Sequence, residues 1–327
     1  MKLNWRSFPF IGSIITLMAL VILPSLLSAY GLSLLTQVLI YGLFAMSLDL
    51  LVGYTGLVSF NHASFFGVGA YTAAILVTRG VENFWLTLLA GIFTSLLLAL
   101  LLGSLVLRSS GPYFLMITLA FGQMIFALAW RWRSLTGGDD GLSGVPRPNL
   151  GLPFSMWDSQ NFYYLVLVFF VLCSVVLWKI VRSKLGRSII GVRESESRMQ
   201  ALGYNTWLIK YLSYAIAGGF AGLAGVLFVY FNGFISPQQL DWSMSGLVIL
   251  MVIVGGAGTL IGPVIGAGSI FILQNLISAQ TERWPMSMGI IFILCVMYLR
   301  DGVAGQTIKL SKKGLKNYER IRNTKRL

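Results

Sequence analysis

Charge is what this sequence has least of. Asp, Glu, Lys and Arg make up 11% of its 327 residues, less than half the roughly 25% of an ordinary soluble domain. Histidine occurs once and cysteine twice. One His and two separated Cys exclude a clustered metal site and a disulfide framework. Cys173 and Cys295 both fall inside apolar runs and read as small apolar fillers. No Gly-Lys dipeptide occurs, so the phosphate loop G-x-x-x-x-G-K-[ST] is missing and the chain has no ATP site of that kind. Acids inside apolar runs, which mark proton and ion pathways, reduce to Asp49 alone. There is no catalytic constellation and no low-complexity stretch.

What is present is a series of apolar runs, many about 20 residues long, the length a helix needs to cross a ~30 Å hydrocarbon layer. The fold class is therefore an all-α polytopic membrane protein. Apolar length bounded by charge, Gly and Pro predicts about ten transmembrane helices, at 10–29, 32–52, 62–78, 84–107, 112–130, 162–181, 211–231, 244–256, 262–278 and 285–299. Spans 62–78 and 244–256 are short and rich in Gly and Ala, which points to interrupted or protein-buried segments. The first span has a longer apolar core than a signal peptide and no clear A-x-A site, so a retained helix is expected. Of the 24 basic residues, only Arg79, Arg131, Arg133, Arg147 and Arg283 fall in loops on one side. That bias places both termini in the cytoplasm. The formal net charge of +13 follows from it, together with attraction to anionic inner-leaflet lipid. Within the basic cytoplasmic tail at about 300–327, the stretch from Lys309 to Leu327 is suited to lying on the membrane surface as a helix. Loops 131–161 and 182–208 are too small for a separate core, so residues 1–327 read as a single transmembrane domain.

Within the spans, several residues stand out. Asp49 lies near the cytoplasmic end of its span and reads as an interfacial acid that reaches water or caps the next segment. Asn61, His62 and Ser64 open the third span in a stretch of Gly, hydroxyls and amides that suits a broken helix. A solitary histidine is more often structural; the functional alternative places these three, with Asp49, along a gate or translocation path. Gly218, Gly222 and Gly225 lie near one helix face. Gly258, Gly262 and Gly266 repeat every four residues. Small residues so spaced let helix backbones approach closely in lipid. In the cytoplasmic loop, Ile189, Ile190, Val192, Met199 and Leu202 alternate with charges, predicting one short amphipathic helix over 189–202, stopped by Gly203. Gly191 weakens it by about 1 kcal/mol relative to Ala. Such a helix is either an interfacial element or a knob that docks on a cytoplasmic protein through Arg193, Glu194, Glu196 and Arg198.

From Tyr41 onward the sequence Ser47-Leu-Asp-Leu-Leu-Val-Gly-Tyr-Thr-Gly-Leu-Val-Ser-Phe-Asn-His-Ala-Ser-Phe-Phe-Gly-Val-Gly-Ala-Tyr71 resembles the M-type permease of branched-chain amino acid ABC importers. The likeness continues at Thr136-Gly-Gly-Asp-Asp-Gly-Leu142, from Gly186 through the cytoplasmic loop, at Ala-Gly-Leu-Ala-Gly225, at Ser236-Pro237 and at Gly255-Gly-Ala-Gly-Thr-Leu-Ile-Gly-Pro263. It covers most of the chain in order. One departure is Asn61, where relatives often carry Gly. The resemblance implies the ABC importer permease fold in a bacterial inner membrane. It implies one permease of a heterodimeric (LivM-like with LivH-like) pair, two cytoplasmic ATPases that bind the ATP and Mg, and an extracytoplasmic solute-binding protein. It makes the segment containing Gly186, Arg187, Arg193, Glu194, Glu196, Arg198 and Gly203 the ATPase-coupling loop. Cargo is expected to be a branched-chain amino acid, with urea, short amides or aromatic acids as alternatives within the family. An autonomous secondary transporter or channel is the alternative of another class, and the scarcity of buried acids argues against it. A membrane-embedded enzyme would need clustered catalytic groups.

Overall fold

The computed structural model describes residues 18–151 and 155–281, with isolated positions between 283 and 302. The start of the expected first span, the span at 285–299, Cys295 and most of the tail at 300–327 lie outside the described residues.

Helices account for most of the described chain. The principal ones, apart from short turns such as Arg133–Thr136, are α1 (Ala29–Asp49), α2 (His62–Thr78), α3 (Phe84–Val106), α4 (Pro112–Arg131), α5 (Ser159–Arg182), α6 (Lys184–Glu194), α7 (Glu196–Ala201), α8 (Thr206–Asn232), α9 (Trp242–Gly255) and α10 (Ile261–Ser278). Six are long and apolar enough to cross a membrane: α1 with its extension to Thr55, α3, α4, α5, α8 and α10. The shorter α2 and α9 coincide with the two runs expected to be interrupted or buried.

Polar residues set the starts. Ser28, Asn83, Asp158, Asn205 and Asp241 each accept an amide of the following first turn, satisfying groups that a helix end leaves unpaired. Pro112 stands in the first turn of α4, where its missing N–H costs nothing. Gly233, at φ 68°, closes α8.

The centre of the bundle is α8 and α1. In each, 78% of the apolar window is buried, against 22% in α4. On α8, Gly222 faces Ser95 and Gly69 faces the Gly222 backbone, while Gly218 meets Ala99 and Gly225 meets the Phe66 carbonyl. A Cβ at these glycines would strike its neighbour, so the contact of α8 with α2 and α3 depends on bare backbone. Ser95 Oγ donates to the Phe65 carbonyl at 2.8 Å. Helices α9 and α10 form a tight hairpin. Gly262 backs onto the Gly255 and Gly256 carbonyls and Gly266 onto the Met251 carbonyl. Outward faces carry apolar rows such as Leu89, Phe93, Leu97, Leu101 and Leu105 of α3, as a lipid-facing helix requires.

At the end opposite α6 and α7, the Gly-Gly-Asp-Asp stretch is a built turn. The Thr136 hydroxyl bonds to the Ala129 and Trp132 carbonyls at 2.6 and 2.7 Å, and Gly137, Gly138 and Gly141 all have positive φ. Beyond the turn, β1 (Leu142–Ser143) pairs antiparallel with β2 (Phe234–Ile235), Leu142 opposite Ile235. The Arg147 guanidinium lies over the Phe162 ring at 4.1 Å. The loop is thus fastened to the ends of α5 and α8.

Candidate functional site

At its far end α1 widens. Residues Leu50–Thr55 continue the helix as a π-helical turn, a geometry found mostly as short bulges, often at functional positions. Gly56, at φ 78°, stops it. The Leu57 amide reaches back to the Leu51 carbonyl at 2.8 Å, bypassing the Gly53 carbonyl that an α-helix would assign to it. The chain then turns back to open α2 at His62.

That reversal is surrounded by polar groups from four helices. Asn61 Oδ1 accepts from the Ser59 hydroxyl at 2.6 Å and the Tyr214 hydroxyl at 2.7 Å. The Thr118 hydroxyl of α4 accepts the Phe60 amide, and the Ser245 hydroxyl of α9 accepts the Ala63 amide. His62 Nε2 lies 2.9 Å from Ser47 Oγ, and its ring stacks on Phe44 at 5.3 Å. Ser47 gives its only hydrogen to the Phe44 carbonyl at 2.7 Å, so Nε2 is the donor in the pair. Asn61, His62 and Ser64 are fully buried. Asn61 Nδ2, His62 Nδ1 and Ser64 Oγ have no hydrogen-bond partner within the described residues. Each such group costs about 1–3 kcal/mol, and here three sit within four consecutive residues.

One turn deeper along α1, Asp49 is also fully buried. Its carboxylate accepts the Gly258 amide at 2.7 Å and the Leu260 amide at 3.2 Å. Both amides belong to the turn between α9 and α10. In that turn Gly256 and Gly258 have positive φ, as does Leu260 at 57°, the one such non-glycine residue among those described. Sequence alone placed Asp49 near water or as a cap for the next segment; the fold instead closes it onto a turn more than 200 positions away. Gly53 sits between them. A Cβ there would collide with the Asp49 carboxylate and the Gly258 amide.

The loop after α5 comprises two helices, α6 and α7, rather than the single one expected over 189–202. Ser195 leaves helical geometry at φ −164° and caps α7 by accepting the Arg198 amide. Gly203, at φ 85°, follows the end of α7. Gly186 packs on the Val181 carbonyl at the corner from α5, and Ile189 and Val192 are buried. Arg187, Glu194 and Arg198 are exposed. Arg193 is exposed as well, but it differs in its contacts: its stem lies over Gly56 and its guanidinium donates to the Gly53 carbonyl. Glu196 also turns inward, 2.6 Å from the Lys210 ammonium, and accepts from the Thr206 hydroxyl at 3.0 Å. Burial pushes the Glu196 carboxyl upward, but Lys210 and Thr206 outweigh it and hold the group below the usual glutamate range.

The structure thus brings Asn61, His62 and Ser64 into one buried cluster, and Asp49 and Arg193 onto the two sides of Gly53. Ser47, Gly53, Tyr214 and Ser245 complete these arrangements. They were not singled out from sequence, although Ser47 and Gly53 lie inside the matched stretch.

Comparison with known proteins agrees with this architecture. The pattern of the family described as "Branched-chain amino acid transport system / permease component" matches residues 30–299. The chain is 31% identical over 318 residues to the high-affinity branched-chain amino acid transport system permease protein LivM of Salmonella typhimurium, covering 89% of this chain and 75% of that one. It is 30% identical to LivM of Escherichia coli K12, covering 87% and 72%. Against LivH of Salmonella typhimurium, identity is 25%, covering 81% and 91%. No solved structure matched. With these matches and its six long apolar helices, the chain is a multi-pass membrane protein that belongs to the family of branched-chain amino acid transport system permeases.

Proposed function

We propose that this chain is one of two permeases of an ATP-driven importer that moves branched-chain amino acids into the bacterial cytoplasm by alternating access. Similarity to both LivM and LivH favours a pair of homologous permeases. ATP and Mg are held by two cytoplasmic ATPases, and an extracytoplasmic binding protein delivers the cargo to the end that carries the fastened 137–147 loop. This reading keeps ten spans and both termini in the cytoplasm.

The observation that carries this reading is the α6–α7 segment. Its apolar side is seated on the bundle through Ile189 and Val192, while Arg187, Glu194 and Arg198 are left open. This charged face, flanked by Gly186 and Gly203, docks an ATPase by charge complementarity. Asn61, His62 and Ser64, together with Asp49, form the gate of the translocation path, closed in this conformation. Their unpartnered atoms favour a second state in which they meet water or cargo. ATP drives the exchange because it binds the two states with different affinity.

A mild-detergent pull-down of the tagged chain, followed by reconstitution with its companions, tests the reading. Two Walker-type ATPases and a second permease are expected, with ATP-dependent leucine uptake when binding protein is supplied. Urea or an aromatic acid taken up in place of leucine would redirect the cargo assignment. Recovery of the chain alone, with transport in its own liposomes, would overturn the importer reading.

A further inference from the structure

We propose that Arg193 is a transmission residue. It links the coupling helices to the α9–α10 turn through Gly53 and Asp49, and so sets how much cargo moves per ATP hydrolysed. This rests on the importer reading above and assigns Arg193 an inward task rather than a place in the ATPase contact.

The first argument is backbone accounting. In an α-helix the Gly53 carbonyl would receive the Leu57 amide. The π-helical turn sends that amide to Leu51 instead, and the Arg193 guanidinium takes the released carbonyl. Among the described residues, Arg193 is the one side chain of α6 that hydrogen-bonds to a membrane-spanning segment; the Ser188 hydroxyl bonds within α6 itself. An arginine is suited to this position because its rigid fork holds a direction that a flexible ammonium does not.

The second argument is what lies behind Gly53. The absence of a Cβ there lets the Gly258 backbone press against the α1 extension, and Asp49 fixes that turn through two amides. Gly258 itself lies close to the Arg193 guanidinium. Displacing α6 therefore pulls on the carbonyl of Gly53, the residue whose Cα side is packed against both Asp49 and the turn. The turn also contains Leu260 at φ 57° and ψ −45°, a conformation that persists only while its surroundings enforce it. A strained turn held by the Asp49 carboxylate and by the Thr259 hydroxyl, which donates to the Gly256 carbonyl at 2.7 Å, has an alternative to relax into, which is what a two-state element requires. Asn61 and His62 follow Gly53 within ten residues, so the same motion reaches the buried cluster.

The test uses the full complex with binding protein in proteoliposomes and reads leucine imported per ATP hydrolysed. For Arg193→Ala, this ratio is expected to fall about fivefold or more, the lower range of measured coupling between sites, while ATP hydrolysis changes much less. Arg193→Lys, which keeps a donor and the charge, is expected to fall between Ala and the unmodified protein. Arg187→Ala, on the open face, is expected to lower hydrolysis and import together with an unchanged ratio. Asp49→Asn approaches from the other side of Gly53 and is expected to lower the ratio, which keeps the test intact if the alanine chain fails to assemble. Unaltered ratios in the Arg193 and Asp49 variants overturn the proposal alone. Absence of ATP-dependent uptake by the unmodified complex overturns the importer reading, and this proposal with it.

Discussion

Asp49 Oδ1 accepts the Gly258 amide at 2.7 Å inside the bundle, joining the end of α1 to the turn between α9 and α10. The same carboxylate accepts the Leu260 amide, so one side chain satisfies two backbone donors, one buried and one partly buried. Asp49→Ala strands both amides and is expected to cost about 3 kcal/mol, from about 1–3 kcal/mol for each unsatisfied group. Asp49→Asn keeps one acceptor oxygen and is expected to cost about half as much. Thermal unfolding of the detergent-purified chain measures both. Equal stability of the Ala variant and the unmodified protein would show that the turn is held by other contacts.

Glycine positions separate sharply by what surrounds them. Gly53→Ala forces a methyl into the Asp49 carboxylate and the Gly258 amide, and overpacking of this kind costs about 1–3 kcal/mol. Gly219→Ala on α8 meets only Leu96 Cδ1, at 3.8 Å. There the gain in helix propensity, about 0.5–1 kcal/mol, is expected to show as a small rise in unfolding temperature. A destabilised Gly219 variant alongside a neutral Gly53 variant would reverse the assignment.

Most helix positions were legible because lipid imposes a length and a composition on every crossing. The run at 62–78 coincides with α2, bounded by the Gly56–Asn61 reversal on one side and Gly80 on the other. The expected starts at 84 and 112 coincide with those of α3 and α4. The split between α6 and α7 was not legible. Apolar spacing runs through Ser195, and only the cap it forms on α7 breaks the helix. The site divides in the same way. Composition at 53–71 announced a broken helix with buried polar groups, but the partners of Asn61 and Asp49 are Tyr214 and Gly258, distant in sequence and paired only by tertiary packing. The inward course of Arg193 was equally invisible, since an arginine on a solvent-facing loop gives no local sign of which carbonyl it will reach.

His62 and Ser47 lend themselves to a double-mutant cycle. Ser47→Ala removes the acceptor of Nε2 and leaves a buried donor unpaired, at about 1–3 kcal/mol. His62→Phe keeps the stack on Phe44 and removes the need for an acceptor. Because replacing both partners by apolar groups is nearly neutral, the pair Ser47→Ala with His62→Phe is expected to be more stable than Ser47→Ala alone. Additive losses in detergent unfolding would mean that the 2.9 Å contact contributes nothing.

The Glu196–Lys210 pair makes the attachment of α7 sensitive to acid. Burial raises the carboxyl, but the ammonium at 2.6 Å and the Thr206 hydroxyl prevail and leave it below the ordinary glutamate value of 4.5. A group depressed in the folded state contributes stability that is fully present above its unfolded pKa and lost as pH falls through its folded pKa. Protection of the 194–206 backbone against hydrogen exchange, corrected for intrinsic rates, is therefore expected to hold steady from neutral pH down to the ordinary glutamate value and to decline below it. Glu196→Gln removes the charge at every pH, so its protection is expected to be lower at neutrality and free of the acid step. The pair is 40% exposed on the glutamate side, which makes the effect screenable by salt; raising ionic strength at neutral pH is expected to narrow the gap between Glu196→Gln and the unmodified protein. An acid step of the same size in Glu196→Gln would assign it to another group and leave α7 anchored by Gln200 and the apolar contacts of α6.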